Sequence, residues 1–125
     1  MKNRSFNERL VFALNGLIVA WQRENSFRIQ TGLAVCAVLV LVALRPPLVW
    51  WAIIAFTIAF VLATELVNSA FEALVDHSHP DIHPNIRVIK DMAAGSVLLS
   101  AIGAIVVGLL LLTNKVLELR PRISL

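Results

Sequence analysis

Charge is what this 125-residue sequence has least of: 15% of its residues are charged, 58% are apolar, and the mean hydropathy is +0.81. So few charges cannot clothe a water-exposed surface of this size. The composition excludes a disordered tail and argues against an ordinary soluble domain. The apolar residues come in long blocks that a water-soluble core of this size could not bury, so lipid is the expected solvent. Cysteine is nearly absent. Cys36, the one present, lies inside an apolar run, which rules out an intramolecular disulfide and predicts a small buried hydrophobe. There is no GxxxxGK[ST] loop, no GxGxxG and no credible Ser-His-Asp arrangement, so the motifs of soluble nucleotide folds are missing. No small-x-small cleavage site follows the first apolar run, so the hydrophobic segments are expected to belong to the mature chain. No internal repeat or low-complexity stretch is visible. The formal charge of +3 is read as membrane orientation and contact with headgroups and phosphates, with no role in nucleic-acid binding.

What is present is a set of helical signals. From about residue 7 to 28, Leu10, Leu14, Leu17 and Trp21 recur at four- and three-residue steps, which predicts an amphipathic helix lying on the membrane surface. Glu24 falls about 40° from that apolar stripe. A first membrane segment, 29–44, is closed by Arg45, Pro46 and Pro47. A second, 48–75, opens with Trp50 and Trp51 as an interfacial anchor and would span roughly 42 Å, against a hydrocarbon core of about 30 Å. Its last turns must therefore reach water, with Glu65 near the boundary. A polar connector from His77 to Arg87 holds three histidines and two prolines, and a third segment, 90–113, follows. The third is rich in Gly and Ala, which predicts close packing in the middle of a bundle. The expected fold is thus all-α: an integral membrane protein with three transmembrane helices and an N-terminal amphipathic surface helix.

Seven of the eleven basic residues, from Lys2 to Arg28 together with Arg87 and Lys90, fall on one side of these spans. The positive-inside rule then places the N-terminus and the second loop in the cytosol. Glu24, Glu65, Glu72, Asp76, Lys90 and Asp91 would all lie near that interface.

On a helix, Glu65, Asn68, Ser69, Glu72 and Asp76 occupy one stripe about 100° wide. Aligned carboxylates at the edge of a span repel one another and are costly to desolvate, so they call for a cation or a basic partner. Mg²⁺ takes oxygen ligands and is commonly held by one or two carboxylates plus substrate phosphates, which suits Glu72 with Glu24 if the surface helix docks there. Lys90 and Asp91, across a short loop, are placed for phosphate contact, or form an interfacial pair with no further role. His77, His79 and His83 make only a weak zinc-like pattern. The same residues leave open a small cation-binding transporter or channel subunit, and a membrane subunit without chemistry whose acids are simply solvated. The first wants its acids near the bilayer midplane, whereas these crowd towards one end of a span. The second leaves the carboxylate stripe, Glu24 and the Lys-Asp pair as coincidences.

The run from Glu65 through Asn68, Ser69 and Glu72 to Asp76, followed by Lys90-Asp91-Met92-Ala93-Ala94-Gly95, closely resembles the signature of the small prokaryotic diacylglycerol kinase and undecaprenol kinase family. The resemblance extends upstream over Trp21, Glu24, Phe27 and Arg28 and covers nearly the whole chain. It implies a homotrimer in the bacterial cytoplasmic (inner) membrane, with active sites shared between subunits, that uses Mg-ATP to phosphorylate a lipid alcohol. Carried over by position, Glu65 matches the general base, and Glu24 and Glu72 match the Mg²⁺ ligands. Asn68, Asp76, Asp81, His83, Lys90 and Asp91, with Glu24 and Glu72, fall at nucleotide-contacting positions. Trp21, Arg28, Ser69 and Ala94, with Glu65, are expected at the lipid substrate. Phosphoryl transfer asks mainly for positioning and charge neutralisation, which such a set can supply without a P-loop.

Two departures from the family pattern stand out, the first at a place near the nucleotide. Phe12 stands where diacylglycerol-type members carry a tyrosine, and Gln30 where they often carry an acid. The His79-Pro80-Asp81-Ile82-His83-Pro84 loop and Ala93-Ala94-Gly95 look more like undecaprenol-type members, so undecaprenol stands ahead of diacylglycerol as the expected acceptor.

Overall fold

The computed structural model describes residues 3–79, 81 and 83–121. Four helices follow in order: α1 Phe6–Arg23, α2 Asn25–Leu44, α3 Leu48–Ser78 and α4 Pro84–Leu119. The last three are long and apolar enough to cross a membrane, and among the described residues there is no strand. The chain is an all-α membrane protein.

α1 starts where Ser5 and Glu8 form a reciprocal capping box: the Ser5 hydroxyl accepts from the Glu8 N–H, and a Glu8 carboxylate oxygen accepts from the Ser5 N–H, both at 3.3 Å. The apolar stripe of Leu10, Leu14, Leu17 and Trp21 stays open, as an amphipathic surface helix requires. α1 ends sooner than the periodicity predicts. Glu24 has extended backbone (φ −104°, ψ 105°) and is both the last cap of α1 and the N-cap of α2, so residues 25–28, expected in the surface helix, open the membrane helix instead. Arg28 explains the break: its Nη1 donates to the carbonyls of Trp21 (2.8 Å) and Gln22 (3.2 Å), satisfying acceptors at the end of α1 that the break would strand.

α2 stops as expected before the two prolines. Arg45 adopts the left-handed conformation (φ 51°, ψ 53°), its N–H bonding to the Leu41 carbonyl, a termination that glycine usually serves. α3 runs past 75 to Ser78. α4 departs most from its expected bounds, beginning six residues earlier and ending six later. Pro84 is its first residue, where a missing N–H costs nothing, and the His83 ring caps it by accepting from the Asn85 N–H at 3.1 Å. The apolar run marks only the part of this helix that suits hydrocarbon, whereas its hydrogen bonding continues into the polar ends.

α3 is the central element, touching α1, α2 and α4. This corrects the expectation that the glycine-rich third span would occupy the middle: α4 leans chiefly on α3, and a Cβ added at Gly95, Gly103 or Gly108 would meet nothing within 4 Å. Towards the α2–α3 connection, Leu41, Ile54 and Leu111 form a buried cluster against which Trp50 and Trp51 pack, so these tryptophans are more than an interfacial belt. Cys36 is exposed on α2, not buried as its apolar surroundings suggest, because neighbouring Ala37 faces the core instead.

Candidate functional site

The other end of the bundle gathers the first turn of α2, the last turns of α3 and the start of α4. Leading up to it on α3, Glu65 is 4% exposed and Asn68 9%, a buried acid and a buried amide on the stripe that also buries Val61 and Val75. A carboxyl group so enclosed needs hydrogen-bond partners. The Ser26 hydroxyl supplies one, donating to Glu65 Oε1 at 2.5 Å from the first turn of α2.

One turn further along, Asn68 Nδ2 points to Glu72 Oε1 at 3.5 Å, and Asn68 Oδ1 is buried with no hydrogen-bond partner among the described residues. A buried unpartnered acceptor is uncommon in a folded chain. Helical geometry from Leu48 to Ser78 keeps Glu65, Asn68, Ser69, Glu72 and Asp76 on one face, the last of them exposed. Lys90 Nζ reaches back to Asp76 Oδ1 at 2.9 Å, so one member of the predicted acid stripe and the predicted phosphate contact meet directly. Both side chains of this pair are open to solvent. Deeper, Thr64 and Ser100 meet hydroxyl to hydroxyl at 3.0 Å and join α3 to α4.

The remaining candidates are more dispersed. Glu24 is half-buried at the α1–α2 hinge and makes no capping bond with its side chain. Asp91 and Ala94 are exposed on α4, and Asp81 is exposed in the connector. Trp21 lines a hollow of about 420 Å³ with Leu17, Phe27 and Leu62, between α1, α2 and α3. Asn68 opens on a second hollow of about 300 Å³, shared with Phe71, Ile89 and Ser96. Arg28 and His83, expected at substrate and nucleotide, are engaged in ending α1 and starting α4.

Among the described residues, no three His, Cys, Asp or Glu side chains lie close enough together to hold a metal. The smaller demand of Mg²⁺, one or two carboxylates with the rest from phosphate and water, fits the donors present. Glu72 and the orphan Asn68 Oδ1 are hard oxygen donors one helical turn apart, with the Asn68 Nδ2 turned to the Glu72 carboxylate. Ser26, Thr64 and Ser100 were not marked by any sequence signal: each is a lone hydroxyl whose partner lies on another helix.

Three helices long and apolar enough to cross a membrane, with Glu65 and Asn68 buried directly after the uncharged run of α3, define an integral membrane protein with a buried polar site. Residues 11–112 match the family described as prokaryotic diacylglycerol kinase. The chain is 35% identical over 109 residues to a diacylglycerol kinase of Synechocystis sp., covering 86% of this chain and 62% of that protein. It thus spans less than two thirds of that relative's length. It is 34% identical to the undecaprenol kinase of Bacillus subtilis, covering 90% and 91% of the two chains, and 32% identical to the diacylglycerol kinase of Escherichia coli, covering 81% and 83%. The chain belongs to the prokaryotic diacylglycerol kinase family, whose members are phosphotransferases acting on an alcohol group. Three apolar spans and this membership make it a protein of the prokaryotic inner membrane.

Proposed function

We propose that this chain transfers the γ-phosphate of Mg-ATP to the hydroxyl of a membrane lipid alcohol, with undecaprenol ahead of diacylglycerol as the acceptor. The observation that carries the reading is Glu65: a carboxylate 4% exposed, held from a second helix, directly after the uncharged run 48–64 of α3. Such a group has little purpose as a solvated surface acid, and it stands just past the uncharged run 48–64 of α3 rather than within it, where a pore at the bilayer centre would want its acid.

In this reading Glu65 takes the proton from the lipid hydroxyl as its oxygen attacks the γ-phosphorus, and the bond to the β-phosphate oxygen breaks. Glu24 and Glu72 would hold Mg²⁺, which when bound neutralises phosphate charge. Lys90 adds a further positive charge by exchanging Asp76 for a phosphate oxygen. Asn68 orients Glu72, and Asp81, His83 and Asp91 border the nucleotide. The apolar hollow beside Trp21 receives part of the lipid tail, while Ser69, Arg28 and Ala94 flank the headgroup. The N-terminus and this site face the cytosol, where ATP is found and where the excess of Lys and Arg points. Sites are completed between subunits of a homotrimer, which would bring Glu24 to the α3 carboxylates from a neighbouring subunit.

Purified protein in vesicles, supplied with Mg²⁺, labelled ATP and either undecaprenol or diacylglycerol, tests the reading. Label is expected in undecaprenol faster than in diacylglycerol. A folded protein that labels neither lipid refutes the kinase reading, and a reversed order refutes the substrate assignment.

A further inference from the structure

Ser26 is the polar contact of Glu65 that the reaction outlined above does not use. Its hydroxyl crosses from α2 to α3 and joins residues 39 apart in sequence. A serine in the first turn of a helix ordinarily turns its oxygen back on the local backbone. Here Ser26 reaches sideways to another helix, although its own residue is exposed and its partner almost fully buried. Thr64, next to Glu65, is no substitute, because its hydroxyl is engaged with the Val61 carbonyl at 2.8 Å and with Ser100.

We propose that Ser26 is a positioning residue for phosphoryl transfer, fixing the Glu65 carboxylate through Oε1 so that Oε2 is presented to the lipid hydroxyl. The proposal rests on the reading of Glu65 as the base. A glutamate has several side-chain torsions to immobilise, and a reacting pair must approach to about 3–3.5 Å in a defined direction. A hydroxyl donating to a carboxylate is among the stronger hydrogen bonds, and it holds one oxygen while leaving the other free. Ser26 also lies two residues beyond the Glu24 hinge, so the short segment that carries one expected metal ligand also holds the base. The two halves of the site are thereby tied to one piece of backbone.

The test uses the full chain in vesicles, with kcat and KM measured separately for ATP and lipid alcohol. The variants are Ser26→Ala, Ser26→Thr, Glu65→Gln and the double variant of Ser26→Ala with Glu65→Gln. Ser26→Ala is expected to lower kcat by roughly ten- to a hundredfold with both KM values within about twofold, because only placement is lost. Ser26→Thr keeps the oxygen and should restore turnover to within about threefold of wild type. In the Glu65→Gln background, Ser26→Ala should cost nothing further, since it acts through the group already removed. Wild-type kcat in Ser26→Ala beside a defective Glu65→Gln overturns the positioning role alone. So do equal losses from Ser26→Ala in both backgrounds, or failure of Ser26→Thr to rescue a folded protein. Wild-type turnover in Glu65→Gln overturns the base assignment and the positioning role together.

Discussion

Lys90 Nζ lies 2.9 Å from Asp76 Oδ1, bridging the start of α4 and the end of α3 across the connector. Both side chains remain open to water, so the pair contributes little to stability and is readily exchanged for another anion. A nucleotide phosphate is the exchange partner the kinase reading supplies.

Lys90→Ala should therefore raise KM for ATP by about tenfold or more while leaving the melting temperature nearly unchanged. Initial rates against ATP concentration, with thermal unfolding in detergent as the control, decide it. An unchanged KM would remove Lys90 from the nucleotide site.

Glu65→Gln preserves the size of the side chain and an acceptor for Ser26, but it cannot take a proton. Turnover should fall by at least about 10²-fold with the fold intact. Single-turnover measurement of phosphoryl transfer separates this from slow product release.

Glu24→Gln and Glu72→Gln should each move the Mg²⁺ concentration for half-maximal rate upward by roughly tenfold, because each removes a charged oxygen donor from a site with few protein ligands. Glu65→Gln should not move it. Titrating Mg²⁺ at saturating ATP checks the contrast, and an identical metal dependence in all three would contradict the division of roles.

At the opposite end of the bundle, Leu41 is 1% exposed and packs with Ile54 and Leu111. Leu41→Ala should destabilise the protein by about 2–4 kcal/mol through lost burial and the cavity left behind. Below the melting transition kcat should stay within about threefold of wild type, as Glu65 lies about 16 Å along α3 from Ile54. Unfolding in mixed detergent micelles, alongside activity at low temperature, measures both.

The three spans were readable because lipid imposes long apolar runs, and the Arg45-Pro46-Pro47 break because proline cannot continue a helix. The stripe from Glu65 to Asp76 was readable for a related reason: once a segment is helical, which side chains share a face is simple geometry. The hinge at Glu24 was not. No glycine or proline marks it, and what stabilises it is a side chain four residues later, Arg28, turning back on the Trp21 and Gln22 carbonyls. The Ser26–Glu65 and Thr64–Ser100 contacts were hidden for the same reason, since they join helices whose relative placement no local pattern encodes. The length of α4 was underestimated because hydropathy reports what surrounds a helix, whereas its ends are set by caps such as His83.

At 36 residues α4 is roughly 54 Å long, about 24 Å more than the oily slab it crosses. A rod that overshoots its solvent by that margin offers a scaffold wet at its tips and dry along its waist. Two reactants of opposite solubility can then meet on one polypeptide, the ionic one keeping its hydration and the waxy one keeping its tail among neighbouring acyl chains.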